Sequence, residues 1–121
     1  MSLCVLAGAK VTTFAISFFT LTWLHSVEKI EWQEDWKIIN SKLQIVEARV
    51  KGSGAGMEPP ENSKLIKGWY VYKPRISPVD EVLLATSETN IKNWSVCFNG
   101  KCHELPKNEN KPLKLYACDS K

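Results

Sequence analysis

The sequence predicts an all-β domain, a small antiparallel sandwich or barrel, preceded by a short apolar N-terminal segment. Three observations carry that expectation. Apolar and polar side chains alternate from Ile30 to Ile38, tight-turn pairs such as Asn99-Gly100 separate short β-rich runs, and no stretch has the spacing of an amphipathic helix. With 121 residues, the chain has room for one core and not for two. A hydrophobic content of 44% and a charged content of 24% are those of a globular protein. The net charge of +3 is mild and its basic residues are scattered, which argues against a nucleic-acid partner.

From Leu3 to Leu24 only Lys10 is charged. Four threonines and a serine make this a poor membrane helix, which needs about 20 apolar residues. No small-x-small cleavage pattern precedes His25. In Phe19-Thr20-Leu21-Thr22-Trp23 large apolar residues alternate with threonine, as in a half-buried strand. Residues 1–17 are therefore expected to be an export or anchor segment, signal-peptide-like and able to contact a membrane. It would run directly into a single all-β domain over 18–121.

The next strands form a meander. Ile30, Trp32, Trp36 and Ile38 alternate with Glu31, Gln33, Asp35 and Lys37, Asn40-Ser41 suits a tight turn, and Leu43 to Val50 is rich in β-formers. A turn at Lys29-Ile30 would set Val27 against Trp32, His25 against Glu34, Trp23 against Trp36 and Leu21 against Ile38. A turn at Asn40-Ser41 would set Ile38 against Leu43, Trp36 against Ile45, Glu34 against Glu47 and Trp32 against Arg49. One apolar face then carries a single polar row, His25–Glu34–Glu47. Opposed carboxylates between tryptophans require a proton, a cation from His25 or Arg49, or a metal. Two readings of the row follow. It is a structural His–Glu–Arg network, or a ligand or divalent-metal site with His25, Glu34 and Glu47 as ligands and Glu58 nearby.

Gly52, Gly54 and Gly56 follow the third strand, but Met57-Glu58-Pro59-Pro60 comes next. A proline pair enforces extended backbone, not the helix N-terminus that a phosphate loop requires. The loop reads as a rim over the end of the sheet, placing Gly54, Gly56, Met57 and Glu58 beside His25, Glu28, Glu34 and Glu47.

Gly68 to Tyr72, ended by Pro74, and Glu81 to Ser87 read as further strands, and Leu113 to Ala117 as a last one. In Trp94 to Leu105, the Asn99-Gly100 pair signals a type I′ hairpin. Phe98 then faces Lys101, and Cys97 faces Cys102 at a non-hydrogen-bonded position with Cα atoms about 4.5 Å apart. That is within disulfide reach, the alternatives being two thiols or a metal half-site. A disulfide implies an oxidising compartment. Cys118 has no evident partner, and Cys4 falls in the expected export segment. Ser26 and His25 are adjacent, hence on opposite faces of a strand, so no nucleophile–base pair is apparent and no enzymatic activity is expected.

The runs WLHSVEKIEWQEDWKI, KGSGAGMEPP, GWYVY and WSVCFNGKCHEL resemble a small bacterial family catalogued as domain of unknown function eighteen-fifty. The resemblance covers roughly residues 20–118. Its pattern falls on His25, Ser26, Val27, Glu28, Glu34, Gly54, Gly56, Met57, Glu58, Trp69, Trp94, Cys97 and Cys102. It implies an exported or membrane-attached protein, often encoded beside tripartite (TRAP, TAXI-type) solute transporters, with no established activity. The expected function is thus a non-enzymatic accessory or binding module in the periplasm or at the extracytoplasmic face of the cytoplasmic membrane. A transporter subunit would be its partner, and no cofactor is implied unless a divalent metal binds. A metal-dependent hydrolase built on His25 and the glutamates, and a purely structural scaffold, are the alternatives.

Overall fold

The computed structural model describes residues 1–24, 31–51, 63–84, 94–106 and 111–118, and they form antiparallel β-structure throughout. Eleven strands follow in chain order: β1 Ser2–Ala7, β2 Lys10–Phe14, β3 Phe18–Leu24, β4 Glu31–Ile39, β5 Lys42–Lys51, β6 Lys64–Ile66, β7 Trp69–Tyr72, β8 Glu81–Leu84, β9 Ser95–Phe98, β10 Lys101–Glu104 and β11 Leu113–Cys118. They make a seven-stranded sheet, β10-β9-β3-β4-β5-β7-β6, and a four-stranded sheet, β2-β1-β11-β8. The two pack through one hydrophobic core. Leu3, Val5, Leu84, Leu113 and Leu115 from the small sheet meet Phe19, Leu21, Trp36, Leu43, Ile45, Ala48 and Val96 from the large one.

Turn chemistry accounts for three hairpins. Asn40 and Ser41 (φ 51° and 63°) join β4 to β5, and Asn99 and Gly100 (φ 50° and 77°) join β9 to β10. Both turns were expected from sequence. Lys67 and Gly68 (φ 50° and 88°) make a third turn of the same kind, between β6 and β7.

The N-terminal residues take part in the sheets. Residues 2–14, within the 1–17 stretch expected to be an export or anchor segment, supply β1 and β2 of the small sheet. The reason is visible in β1: Leu3 and Val5 fill the core, and Cys4, on the other face, bonds to Cys118 with Cα atoms 5.9 Å apart. Cys118 therefore has a partner, 114 residues away in sequence. Among the described residues no helix is long and apolar enough to cross a membrane.

The Lys29-Ile30 turn lies outside the described residues, but the ladder on either side of it corrects the register. Trp23 faces Trp32, Leu21 faces Glu34 and Phe19 faces Trp36, and the described ladder runs to Leu24 opposite Glu31. Lys-Ile is a poor occupant of a two-residue turn that needs positive φ twice, and the aromatic pairs Trp23–Trp32 and Phe19–Trp36 set the alignment instead. The displacement is even, so every side chain keeps its expected face.

Candidate functional site

The second correction is a β-bulge. Trp36 faces Ile45 as expected, but Asp35 faces Glu47, leaving Val46 unpaired, and Glu34 therefore faces Ala48. An unbulged ladder would oppose Glu34 and Glu47 on the apolar face. The extra residue turns Glu47 to the outer face of the sheet, so Glu34 and Glu47 do not share the row expected of them. Glu34 and Glu47 lie on opposite faces of β4–β5 and cannot ligate one ion together. His25, Glu28, Gly54, Gly56, Met57 and Glu58 lie outside the described residues. Among the described residues no three His, Cys, Asp or Glu side chains converge as metal ligands.

On the outer face the cation foreseen for the row is Arg49, serving a different pair of acids. Its Nη1 donates to Asp35 Oδ2 and to Glu47 Oε2, each at 2.8 Å, and Nη2 donates to Asp35 Oδ1 at 3.0 Å. Arg49 Nε donates to Gln33 Oε1 at 3.1 Å, and Thr20 Oγ1 donates to Asp35 Oδ1 at 2.7 Å. Burial pushes the Asp35 carboxyl up, but the bonds from Arg49 and Thr20 outweigh it and hold the group below the ordinary aspartate value. Thr20, Gln33 and Asp35 were not singled out from sequence; their signal was the outward half of the alternating pattern. The network is saturated, which suits a structural role.

The inner face is different. Glu34 sits in a cross-strand row with Val96, Leu21, Ala48 and Tyr72, the first three of them buried. Along its own strand it is flanked by Trp32 and Trp36. Among the described residues of this face it is the sole carboxylate. Trp36 Nε1 donates to Glu34 Oε1 at 3.2 Å. Among the described residues no cation pairs with it. Burial raises its pKa, and the Trp36 bond only partly opposes that. Tyr72 is raised as well, by burial and by the Glu34 charge.

Beyond Glu34 the face becomes aromatic. Trp23 faces Trp32, stacks on Trp94 with ring centroids 5.2 Å apart, and Tyr70 continues the row past Val50. Leu24, Glu31 and Lys51 belong to this same end of the sheet. A half-buried carboxyl of raised pKa among aromatic walls can donate a hydrogen bond when protonated and attract a cation when ionised.

The remaining candidate is confirmed. Cys97 faces Cys102 and the two are joined, with Cα atoms 4.0 Å apart. Its sulfurs lie on the outer face, opposite His103, which stacks on Phe98 at 5.0 Å. Both disulfides are compatible with an extracytoplasmic location.

No curated protein and no solved structure matches the chain significantly. A family match spans residues 19–105, which takes in all of the seven-stranded sheet but Phe18, together with β8, and leaves β1, β2 and β11 outside. The chain belongs to the family described as a domain of unknown function, DUF1850.

Proposed function

We propose that the protein is an exported, non-enzymatic binding module that works with a membrane solute transporter, of the TRAP or TAXI type that the family resemblance implies, at the extracytoplasmic face of the cytoplasmic membrane. Its recognition surface is the aromatic end of the inner face around Glu34. The observation that carries this reading is the placement of Glu34: a carboxyl without an ionic partner among the described residues, between Trp32, Trp36 and Tyr72. Stability alone disfavours an acid there, whereas a recognition site uses a few polar groups set in an apolar, aromatic lining. Two disulfides support export.

The test is co-purification of the transporter's membrane subunit from detergent-solubilised envelopes. Wild-type protein should retain it, and Glu34→Gln and Trp32→Ala should lose most of it while remaining folded. Retention by both variants contradicts the site. Stoichiometric divalent metal in the purified protein, released by Glu34→Gln, would favour a metallohydrolase instead. Failure of even the wild type to retain the subunit would leave a scaffold.

A further inference from the structure

The β6–β7 corner of the large sheet carries an unusual combination of exposed groups. Leu65 and Ile66, at the hairpin tip, are 63% and 49% exposed. Around them stand Lys64, Lys67, Lys73 and Arg75, none of which makes an ion pair among the described residues. The paired carboxylates answer to other cations: Asp35 and Glu47 to Arg49, Asp80 to Lys42, Glu81 to Lys114. An open groove of about 970 Å³ runs beside the hairpin, with Ile66 and Val71 on its wall and Lys64, Lys73 and Arg75 at its margin. Among the described residues Glu47 is the one carboxylate lining it, and Arg49 already holds that group. At the base of the turn Lys51 Nζ lies 5.0 Å from the Trp69 ring centroid.

We propose that this corner is a docking surface for an anionic lipid bilayer. The tip, Leu65 to Trp69, enters the interfacial region, and Lys64, Lys67, Lys73 and Arg75 meet the headgroup phosphates. Charge complementarity supplies the class of partner, since each basic residue near an anionic bilayer adds to its attraction. The direction of the side chains selects a bilayer over an acidic protein. Leu65 and Ile66 are consecutive in a strand and point to opposite faces of the hairpin. A protein partner would cover one of them, whereas a hairpin tip immersed in a lipid interface has both faces wetted by acyl chains and headgroups. Trp69 beside Lys51 fits the same environment, because indole rings and lysines with apolar stems favour the headgroup level. This surface is separate from the Glu34 face, and its test needs no transporter.

The experiment is co-sedimentation of the full, disulfide-bonded chain with phosphatidylcholine vesicles prepared with and without phosphatidylglycerol. Binding should require phosphatidylglycerol and weaken as salt rises. Lys64→Gln combined with Lys73→Gln should weaken partitioning by about thirtyfold, roughly fivefold for each charge. Ile66→Ser, half-exposed at the tip, should weaken binding several-fold with an unchanged melting temperature. Equal binding to neutral vesicles, or full binding by Ile66→Ser, would overturn the proposal. So would tight binding of glycerol phosphate or an acidic peptide in solution by a protein that ignores vesicles, which would make the groove an anion or peptide site. If the lysine pair disturbs folding, Lys67→Gln at the turn gives the charge test alone.

Discussion

Glu34 occupies a position where an apolar residue would pack better, and that fixes how its stability contribution varies with pH. An acid whose pKa is raised on folding binds more protons in the native state than in the unfolded one. Stability is therefore greatest below the unfolded value, near 4.3 for glutamate, and declines as pH rises through the folded value. Glu34→Gln removes that decline. It should raise stability near neutral pH by roughly 1 kcal/mol and leave it little changed in acid, as urea titrations at several pH values would show. A variant less stable than the parent at neutral pH would mean the carboxylate is satisfied as an ion. Asp35 has the opposite sign. Held below its ordinary value, it contributes stability that is full above the unfolded pKa and lost as pH falls through the folded one. Arg49→Leu leaves Asp35 facing Glu47 without a cation and should cost roughly 2 kcal/mol at neutral pH. Its deficit should shrink in acid, and a deficit independent of pH would remove the ionic explanation. The conflict between opposed carboxylates was legible in the sequence, as was Arg49 as one remedy. The bulge was not, because nothing in Val46-Glu47 marks an inserted residue; only the cost of the regular ladder hints at it.

Hairpins show what turn residues specify and where they fall silent. Asn99-Gly100 and Asn40-Ser41 fixed their registers because asparagine and glycine tolerate the positive φ that type I′ turns need. Lys67-Gly68 is a weaker signal and β6 is only three residues long, so the hairpin docking against β5 went unread. Gly100→Ala should destabilise by about 1 kcal/mol through backbone strain at φ 77°. No neighbour lies within 4 Å of an added Cβ, so crowding contributes nothing. A melting temperature equal to the parent's would show that the turn relaxes. The two disulfides should separate in size by loop length. Cys97–Cys102 closes a five-residue separation and should contribute less than the ~3 kcal/mol of a fifteen-residue loop. Cys4–Cys118 spans 114 residues, so replacing both cysteines with serine should approach the ~4.7 kcal/mol of a 100-residue loop. Equal losses in the two paired variants, measured by denaturant unfolding, would show that the termini hold together without the bond. An even count of four cysteines was the sequence signal for this second bond. Reading residues 1–17 as an export or anchor segment set Cys4 apart from the folded domain.

At the scale of the whole molecule, the sheet divides its chemistry between two faces. The outer face of β3–β5 holds a closed ionic network, and the inner face holds one acid among aromatic rings. The all-β class was legible from period and turns, because alternation at a spacing of two survives any even error in register. The second sheet was less so: its first two strands resemble a leader in composition, and only the pairing of β1 with β2 and β11 shows that β1 belongs to the core. The whole functional reading rests on Glu34 being isolated from Glu47 by the sheet itself. A carboxyl-carbon NMR titration of wild type, Glu34→Gln and Glu47→Gln measures that isolation directly. The predicted result is a single Glu34 transition above the ordinary glutamate range, at the same midpoint in wild type and in Glu47→Gln. A Glu34 midpoint at or below the ordinary value would mean the carboxyl is not held in an apolar setting, and one that falls when Glu47 is neutralised would place the two acids on one face; either contradicts the account.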